Sequence, residues 1–508
     1  MIRHLMFGLI ALGAMPFAGA QSSDREMTIS DVASQMKRGE LTSHALVQQY
    51  LDRIAKIDKS GPAINAIIEL NPDAIAIADS LDAERKSGKV RGPLHGVPVL
   101  IKDNIDTADK MHTSAGSLAL AESIAAKDSA VAAQLGKAGA IILGKTNLSE
   151  WANFRSTRAT SGWSGRGGQT KNPYALDRNP CGSSSGTGAG IAANLATVGV
   201  GTETDGSIVC PSATNGIVGI KPTVGLIAAS GIVPISHSQD TPGPMARTVS
   251  DAALLLTALA TNETHRADYA KSLDANGLKG ARIGAIQKFA DTNPEVKSQY
   301  EQAIAAMRAA GAIVVDVELP NLGKYDDDEN IVLQFEFKHD VNAYLAALPA
   351  SSNAPRTLAD LIAFDERERA REMPWFGQEL FEQSQARGDL NDKIYIDASQ
   401  KAKRLAGKEG IDAALAKYNV AALIAPTGGP AWVTDLVNGD HFDSASSSPA
   451  AVAGYPDITV PMGQIHSLPV GISFFGAAWS EPTLIKFAYA FEQHTHARQP
   501  PTFAAHVE

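Results

Sequence analysis

Two kinds of apolar pattern alternate along the chain. Between Thr28 and Asp58, apolar residues recur at the spacing of one helix face, which predicts two helices. Thr28 or Ser30 can cap the first helix, and Thr42 or Ser43 can cap the second. Beyond residue 90 the pattern changes to short continuous apolar runs, which are typical of buried strands.

These apolar runs alternate with helical patterns to the end of the chain. The segment from Gly92 to Asp103 is a turn followed by an apolar strand that ends at Lys102. Further strands are predicted at 140–144, 281–286, 312–319 and 421–427, with a hairpin at 458–463 and 469–476. Helices are predicted at 130–138, 189–198 and 481–497. The alternation predicts an α/β fold with a mostly buried sheet, and no shift in composition divides it into separate domains.

The composition excludes several classes of protein. The 508 residues are 44% hydrophobic and 20% charged, which is ordinary for a globular protein with a large core. The net charge is −10 and no long basic patch occurs, so we expect no nucleic-acid partner. The acidic run from Asp326 to Glu329 indicates a solvated surface. Histidines are scattered rather than paired at metal-ligand spacing, so no metal site is predicted.

The first twenty residues have the layout of an export signal. Arg3 and His4 precede an apolar stretch at 5–17, and a small-residue A-G-A segment follows. A buried first helix is the alternative, since the stretch is too short to span a bilayer comfortably. We expect residues 1–20 to be a signal peptide and 21–508 to be a periplasmic or secreted chain. No later segment is apolar enough for a membrane helix, and we expect a monomer.

The two cysteines, Cys181 and Cys210, each lie beside a segment rich in serine and glycine. In an exported protein they could form a disulfide. We favour two free thiols, because free cysteine is among the most buried residue types. A catalytic thiol is disfavoured, since no histidine lies close to either in sequence.

The two serine- and glycine-rich segments, CGSSSG at 181–186 and TETDGS at 202–207, are suited to expose backbone N–H groups. Glycine allows a tight approach and unusual dihedral angles. Consecutive N–H groups in such a turn form a concavity that binds an oxyanion. The first segment ends a stretch at 152–188 that is mostly loop, and loops of this length usually have a function. Taken alone, each segment could equally be a simple tight turn.

Other nucleophile motifs fit the chain poorly. GSSSG at 182–186 matches the G-x-S-x-G elbow with Ser184 at its centre, but no buried strand precedes it. SQMK, from Ser34 to Lys37, matches S-x-x-K, but the S-D-N and K-T-G partners are missing. The glycines match neither phosphate-loop pattern.

Lys102 is a candidate base. At the end of a buried strand its ammonium group loses water, which favours the neutral amine, and a neutral amine can accept a proton. Without further evidence, a lysine that pairs with Asp103 or is exposed at the strand end is the simpler interpretation.

Together these segments resemble the amidase signature family. That family has a Lys-Asp after an apolar strand, a run of GGSSGG type, and a G-T-[DE]-x-G-G-S segment before an apolar residue and a proline. The chain has VLIKDN, CGSSSG and GTETDGSIVCP in the same order. GKTNLSEW and PVGISFFG fit as well, so the resemblance covers nearly the whole chain after the signal.

The resemblance implies a fold and a set of roles. The implied fold is a single large α/β domain with a central mixed sheet flanked by helices. Ser207 aligns with the acylated nucleophile, Ser183 with the bridging serine beside a cis peptide bond, and Lys102 with the base. The implied oxyanion hole consists of the backbone N–H groups of Thr204, Asp205, Gly206 and Ser207. This relay requires no metal and no organic cofactor.

Within the family, the segments SEWANFR, SGWS, GGQTKNPY and ISHSQDTPGPMAR are most similar to those of bacterial peptide amidases. This similarity implies that the substrate is a small-molecule or peptide amide, above all the C-terminal carboxamide of a peptide. Asp205 and Ser185 stand where many members have glycine, and Val209 stands where many have arginine. The substrate pocket is therefore the part that the resemblance defines least.

Three alternatives stay open at this point. The chain could be the amidase subunit of a tRNA-dependent amidotransferase, although an export signal argues against that. It could be a catalytically inactive protein that binds amidated peptides. It could also be an unrelated serine hydrolase with a histidine-based triad, for which His237 is the candidate.

Overall fold

A β-sheet of eleven strands is the centre of the fold. The computed structural model describes residues 25–350 and 352–507, so the expected signal peptide lies outside the described residues. The described residues form thirteen strands, of which all but β4 and β5 belong to this sheet: β1 (Ile67–Leu70), β2 (Pro98–Lys102), β3 (Ile141–Thr146), β4 (Trp163–Ser164), β5 (Gly168–Gln169), β6 (Val198–Glu203), β7 (Val218–Lys221), β8 (Thr241–Ala246), β9 (Arg282–Ala285), β10 (Ile313–Asp316), β11 (Ala422–Pro426), β12 (Asp457–Ile465) and β13 (Leu468–Phe475).

Helices flank this sheet. They are α1 (Ile29–Lys37), α2 (Ser43–Ile57), α3 (Ala74–Lys86), α4 (Ala130–Ala138), α5 (Ser185–Ala192), α6 (Val209–Thr214), α7 (Val249–Leu259), α8 (Pro294–Ala309), α9 (Asp326–Ala347), α10 (Leu358–Arg367), α11 (Arg369–Glu372), α12 (Glu379–Gln385), α13 (Lys393–Lys403), α14 (Asp412–Tyr418), α15 (Ser448–Ala453) and α16 (Glu481–Thr495). A π-helical segment, Arg404–Ile411, joins α13 to α14. No helix in the two described ranges is long and apolar enough to cross a membrane.

The strand order is β1-β3-β2-β6-β8-β7-β12-β13-β11-β9-β10, while β4 and β5 pair only with each other. β2 lies parallel to both of its neighbours, β3 and β6, and β9 lies parallel to β10 and β11. The other pairs in the sheet are antiparallel. This mixed sheet confirms the α/β class and the single large domain that the sequence predicts. It also puts the ends of β2 and β6 side by side.

Most of the predicted elements are present, and both open questions about caps are resolved. Thr28 caps α1 and Thr42 caps α2, each by accepting a backbone N–H of the first turn. The predicted hairpin near the end of the chain is β12–β13. The helix predicted at 189–198 is wrong in its bounds, because α5 begins at Ser185 and β6 already includes Val198.

The position of α5 depends on small residues. A Cβ atom at Gly186 would collide with the carbonyl oxygen of Ala66 and lie 2.5 Å from that of Asn147. A Cβ atom at Gly199 in β6 would lie 2.6 Å from the methyl group of Thr187. A helix packed this closely needs small side chains rather than an apolar stripe, so hydrophobic periodicity could not locate where it begins.

The acidic run at the start of α9 is only partly solvated, which corrects the prediction. Asp326 and Asp327 are exposed, but Glu329 is buried and accepts a 2.8 Å hydrogen bond from Gln239 Nε2. Residues two apart on a helix do not share a face, so Glu329 points inward where Asp327 points to solvent.

Candidate active site

A cavity of about 340 Å³ lies next to the turn that follows β6. The two serine- and glycine-rich segments both contribute to its wall, through Gly182 and the stretch 204–207. Apolar side chains form much of the rest: Phe154, Ile235, Leu333, Trp432 and Phe442. Val209, which stands where many family members have arginine, lines the cavity as well. Within the described chain, the lining contains no lysine, arginine or histidine.

Lys102 lies at the end of β2 and is fully buried. Its Nζ atom lies 2.8 Å from Ser183 Oγ, 2.9 Å from Thr202 Oγ1 and 3.2 Å from the carbonyl oxygen of Thr202. Burial lowers the pKa of Lys102 from 10.5 to about 7, although the charges of Asp240 and Glu203 oppose this change. A neutral amine fits the three contacts, since it can donate to both Thr202 oxygens and accept the hydroxyl proton of Ser183.

Ser183 is held between the lysine and the cavity. The Gly182–Ser183 peptide bond is cis, as the resemblance implies. Ser183 is fully buried, and its carbonyl oxygen accepts a 3.1 Å hydrogen bond from the N–H of Ser149. Among the described residues no hydrogen bond joins Ser183 to Ser207. The structure thus brings the predicted base and bridging serine into contact and leaves the last contact of the predicted relay unmade.

Ser207 lines the cavity and is 7% exposed. It follows Gly206, whose φ of +77° is a conformation that glycine adopts without strain. The backbone N–H groups of residues 204–207 donate to no protein acceptor in the described part of the chain. Free N–H groups in such a turn form the concavity that an oxyanion needs. Lys102, Ser183, Ser207 and this turn therefore lie at one place in the structure.

The competing serines lie elsewhere. Ser184 is fully buried, and its hydroxyl donates a 3.0 Å hydrogen bond to the carbonyl oxygen of Thr202 and accepts one from the Thr202 N–H. Ser184 therefore ties the loop to β6. Ser34 is exposed on α1, where Arg38 donates to its hydroxyl. Neither serine lines the cavity.

Glu203 supports the turn from behind, and the sequence motifs did not predict this role. It is buried, and its Oε2 atom accepts hydrogen bonds from the N–H groups of Ile208, at 2.6 Å, and Val209, at 3.0 Å. These are the two residues that follow Ser207. Burial raises the pKa of Glu203, while the nearby Lys221 ammonium and the two N–H donors oppose the rise. The signal in the sequence was the acidic position of the G-T-[DE] segment, which gives no indication of what the carboxylate contacts.

Two further carboxylates fix the sides of the turn. Asp205 accepts hydrogen bonds from the hydroxyls of Ser447 and, at 2.6 Å, Ser448. Asp240 accepts a 2.6 Å bond from Thr204 Oγ1, and burial raises the pKa of Asp240 to about 6. The serines lie more than two hundred residues from Asp205 in sequence, so motif spacing could not reveal this contact.

Cys181 and Cys210 form a disulfide, which corrects the preference for free thiols. Cys181 begins the first segment, and Cys210 lies in the first turn of α6, just after the second. Because the two segments pack side by side, the Cα atoms are 6.0 Å apart, within the range that a disulfide spans. The bridge fastens together the two loops that carry Ser183 and Ser207.

His237, the candidate for a histidine-based triad, does not line the cavity. Its side chain is 48% exposed, and its Nδ1 atom lies 2.9 Å from a carboxylate oxygen of Asp340. The hydrogen bond to that carboxylate, together with the charges of Glu336 and Asp340, raises the pKa of His237. The structure therefore gives no support to a triad through His237.

The contacts at the end of β2 and β6 match what cleavage of an amide needs. An amide carbonyl is a poor electrophile, so its attack requires an activated nucleophile and donors for the developing oxyanion. A buried lysine beside one serine, with a second serine on a turn of free N–H groups, supplies these parts. The fold and the site together define a hydrolase.

The chain belongs to the amidase signature family, and it is an amide-hydrolysing enzyme. A family model described as Amidase matches residues 45–485. The solved structure of native peptide amidase from Stenotrophomonas maltophilia is 52% identical, with a TM-score of 0.90, and the match covers 94% of this chain and 99% of that one.

Two other relatives widen the comparison. A probable amidase of Arabidopsis thaliana is 42% identical over 95% of this chain and 93% of its own. A glutamyl-tRNA(Gln) amidotransferase subunit from Pseudomonas syringae pv. syringae is 32% identical over 94% of this chain and 100% of its own. The resemblance to peptide amidases is thus supported, and a more distant relationship to amidotransferase subunits accompanies it.

Proposed function

We propose that this enzyme hydrolyses the C-terminal carboxamide of peptides to the free acid and ammonia, with Ser207 as nucleophile, Ser183 as bridging serine and Lys102 as base. The observation that carries the proposal is the buried contact of 2.8 Å between Lys102 Nζ and Ser183 Oγ, beside the turn that presents Ser207 to the cavity. A base of pKa about 7 is half neutral near physiological pH, which suits proton transfer.

Each proton in the proposed reaction has a donor and an acceptor. Neutral Lys102 takes the hydroxyl proton of Ser183 while Ser183 takes that of Ser207, and Ser207 Oγ forms a bond to the amide carbon. The N–H groups of 204–207 donate to the oxyanion. The protons then return along the relay to the departing nitrogen as the C–N bond breaks. Water attacks the acyl-enzyme by the same route and releases the acid and free Ser207.

Among the described residues, Ser183 and Ser207 form no hydrogen bond with each other, so this contact of the relay has still to be made. Catalytic hydrogen bonds are often long before substrate binds and tighten in the complex. We therefore expect the Ser207 side chain to turn toward Ser183 when an amide fills the cavity.

The charge of the cavity supports a neutral peptide amide as substrate. A free carboxylate beside the scissile bond is normally bound by arginine or lysine, and the lining contains neither. The apolar wall suits the side chain of a terminal residue, and the exposed Phe442 at 55% suits a longer peptide. The 52% identity to a peptide amidase agrees with this choice.

The same absence of a cation argues against the alternative of an amidotransferase subunit. A free amino-acid amide such as glutamine carries an α-carboxylate, for which this cavity offers no cationic partner. A catalytically inactive binding protein is the other alternative. Binding alone does not explain why a lysine is buried against a serine, because desolvation of the amine is unfavourable in free energy and adds nothing to binding.

Labelling tests the nucleophile. A fluorophosphonate should label Ser207, as peptide mass mapping can establish, and the Ser207→Ala variant should take up no label. Ser184→Ala is the matched control at a buried serine of the neighbouring loop, and it should still be labelled. Label on Ser184 or Ser34 in the wild type would overturn the assignment.

A substrate panel tests specificity separately from mechanism. Ammonia release should be fast with peptide amides and slow with free glutamine, and Ser207→Ala should abolish both. Rapid turnover of aryl amides without release from any peptide amide would contradict the peptide-amide proposal but leave the nucleophile intact.

We also propose that the protein is exported, on the evidence of residues 1–20 alone. Intact-mass measurement of the protein from the periplasmic or culture fraction should give a chain that begins at Gln21. A chain that keeps Met1 and stays in the cytoplasm would refute export.

A further inference from the structure

Three metal-binding types of side chain meet on the surface beside the cavity. His237 comes from the turn before β8, and His339 and Asp340 lie next to each other on α9. His237 Nδ1 lies 2.9 Å from one carboxylate oxygen of Asp340, and His339 Nδ1 lies 2.8 Å from the other. One ligand atom from each residue lies within 4.8 Å of the others.

A fourth side chain, Glu336, lies beside the second ring nitrogen of His237, where metal sites usually have a carboxylate. Glu336, one turn before Asp340 on α9, is fully buried, and its Oε1 atom lies 3.4 Å from Nε2 of His237. Glu336 is itself fixed by hydrogen bonds from Ser238 Oγ at 2.9 Å and Tyr395 Oη at 2.7 Å. A metal-bound histidine usually directs its other ring nitrogen to a carboxylate, which holds the ring and its tautomer.

We propose that His237, His339 and Asp340 bind a divalent transition-metal ion of the Zn²⁺ type, outside the catalytic cavity. Two imidazoles and a carboxylate are ligands that Zn²⁺ accepts, and water can occupy the fourth position. The ligand atoms of a tetrahedral zinc ion lie about 3.3 Å apart, given bond lengths of about 2.0 Å. The pair of His237 Nδ1 and Asp340 Oδ2, now 2.9 Å apart, therefore has to open slightly, and any ligand atoms near the 4.8 Å limit have to close.

The local charge and exposure favour cation entry. The side chains of His237 and His339 are 48% and 56% exposed, so an ion can reach them from solvent. Asp340 and the buried Glu336 make the surroundings negative when the imidazoles are neutral. The sequence could not reveal this site, because His237 and Asp340 are 103 residues apart and histidine spacing carries no signal.

An ion at this place would join two parts of the cavity wall. Ile235 and Leu333, which line the cavity, belong to the His237 turn and to α9 respectively. The same turn contains Asp240, which accepts hydrogen bonds from the N–H groups of Ile235, at 2.8 Å, and Ser236, at 3.0 Å. Metal binding should therefore stabilise the folded protein by linkage, since the unfolded chain lacks the assembled ligands.

Calorimetric titration of the full chain with Zn²⁺, together with thermal unfolding, tests the site. We expect binding of one ion, a rise in Tm with Zn²⁺, and an affinity at least about tenfold lower in His339→Ala. His441→Ala is the matched control, because His441 forms a similar exposed pair with Asp435 elsewhere on the surface. Wild-type affinity in His339→Ala, equal losses in both variants, or no binding to the wild type would each overturn the proposal.

Asp340→Asn provides a second variant in case the alanine alters the helix. The amide keeps the size of the side chain but removes its charge, so Zn²⁺ affinity should fall, and the Tm measured without metal gives the separate cost of the lost contacts to His237 and His339. Visible absorption of Co²⁺ added in place of Zn²⁺ reports the ligand set directly. A Co²⁺ spectrum that is the same in wild type and Asp340→Asn would contradict coordination by this carboxylate.

Discussion

Replacing Lys102 by methionine tests whether the amine is neutral in the folded protein. The pKa of Lys102 is about 7 in the fold, against 10.5 for an exposed lysine. Between these values the unfolded chain binds one more proton than the folded chain, so the stability of the wild type must rise with pH in this window. Methionine has a similar length and binds no proton, so its variant lacks this contribution.

The size of the effect follows from the width of the window. When the unfolded and folded chains differ by one bound proton, the free energy of unfolding changes by about 1.4 kcal/mol per pH unit. At the lower limit of the window Lys102 is half protonated in the folded protein, so the change per pH unit is smaller there. From pH 7 to pH 9 the free energy of unfolding of the wild type should therefore rise by about 2 kcal/mol relative to Lys102→Met. The variant also loses hydrogen bonds to Ser183 and Thr202, but that loss is the same at both pH values and cancels.

Urea unfolding followed by tryptophan fluorescence at pH 7, 8 and 9 measures this difference. The exposed Lys37 on α1 gives the matched control, and Lys37→Met should stay parallel to the wild type over the range. Parallel curves for Lys102→Met as well would mean that Lys102 keeps its proton in the fold. In that case the proposed base would be unavailable, and the relay would have to be rejected.

The remaining predictions concern catalysis, the turn, the bridge and the pocket. The kcat/KM of the wild type for a peptide amide should rise with pH through about 7, as neutral Lys102 accumulates, and a flat profile from pH 5 to 9 would contradict this base. Glu203→Gln should lower kcat about tenfold or more with little change in KM, because two N–H groups beside Ser207 lose their charged acceptor, and steady-state kinetics with near-normal kcat would refute that positioning role. Cys210→Ser opens a bridge of sequence separation 29 and should lower the free energy of unfolding by about 3.5 kcal/mol, measured by urea under oxidising conditions, whereas an unchanged midpoint would argue against the bridge. Val209→Arg adds a cation to the cavity and should shift the kcat/KM ratio from peptide amides toward free glutamine, and an unaltered ratio would show that charge in the cavity does not set specificity.

The proposed catalytic side chains could be predicted from the sequence, whereas the side chains that position them could not. Lys102 ends a recognisable apolar strand, and Ser183 and Ser207 lie in dense local motifs, so each has a signal within a few residues. The contact from Asp205 to Ser448 joins positions 243 residues apart, and only the folded chain brings them together. Long-range contacts of this kind depend on how the sheet orders its strands, about which local pattern is silent.

The disulfide and the start of α5 were missed for a related reason. The disulfide depends on two loops packing side by side, which brings the cysteine Cα atoms to 6.0 Å, and the start of α5 depends on packing against the backbone at Ala66 and Asn147. The close approach that places Gly186 against the backbone of Asn147 also removes the apolar stripe from which a helix start is usually inferred. The tightly packed segments therefore lack the apolar periodicity from which their structure could have been predicted.

The end of β6 shows how one strand can serve both faces of a site. Side chains of successive strand residues point to opposite sides. Thr202 accordingly reaches Lys102 and Asn104, at 2.9 Å and 3.0 Å, whereas the next residue, Glu203, reaches the N–H groups that follow Ser207. A shift of the strand by one residue would exchange these sides and separate the lysine from its acceptors while burying a carboxylate against it. The register of β6 between β2 and β8 thus fixes both the environment of the proposed base and the shape of the turn that presents the proposed nucleophile.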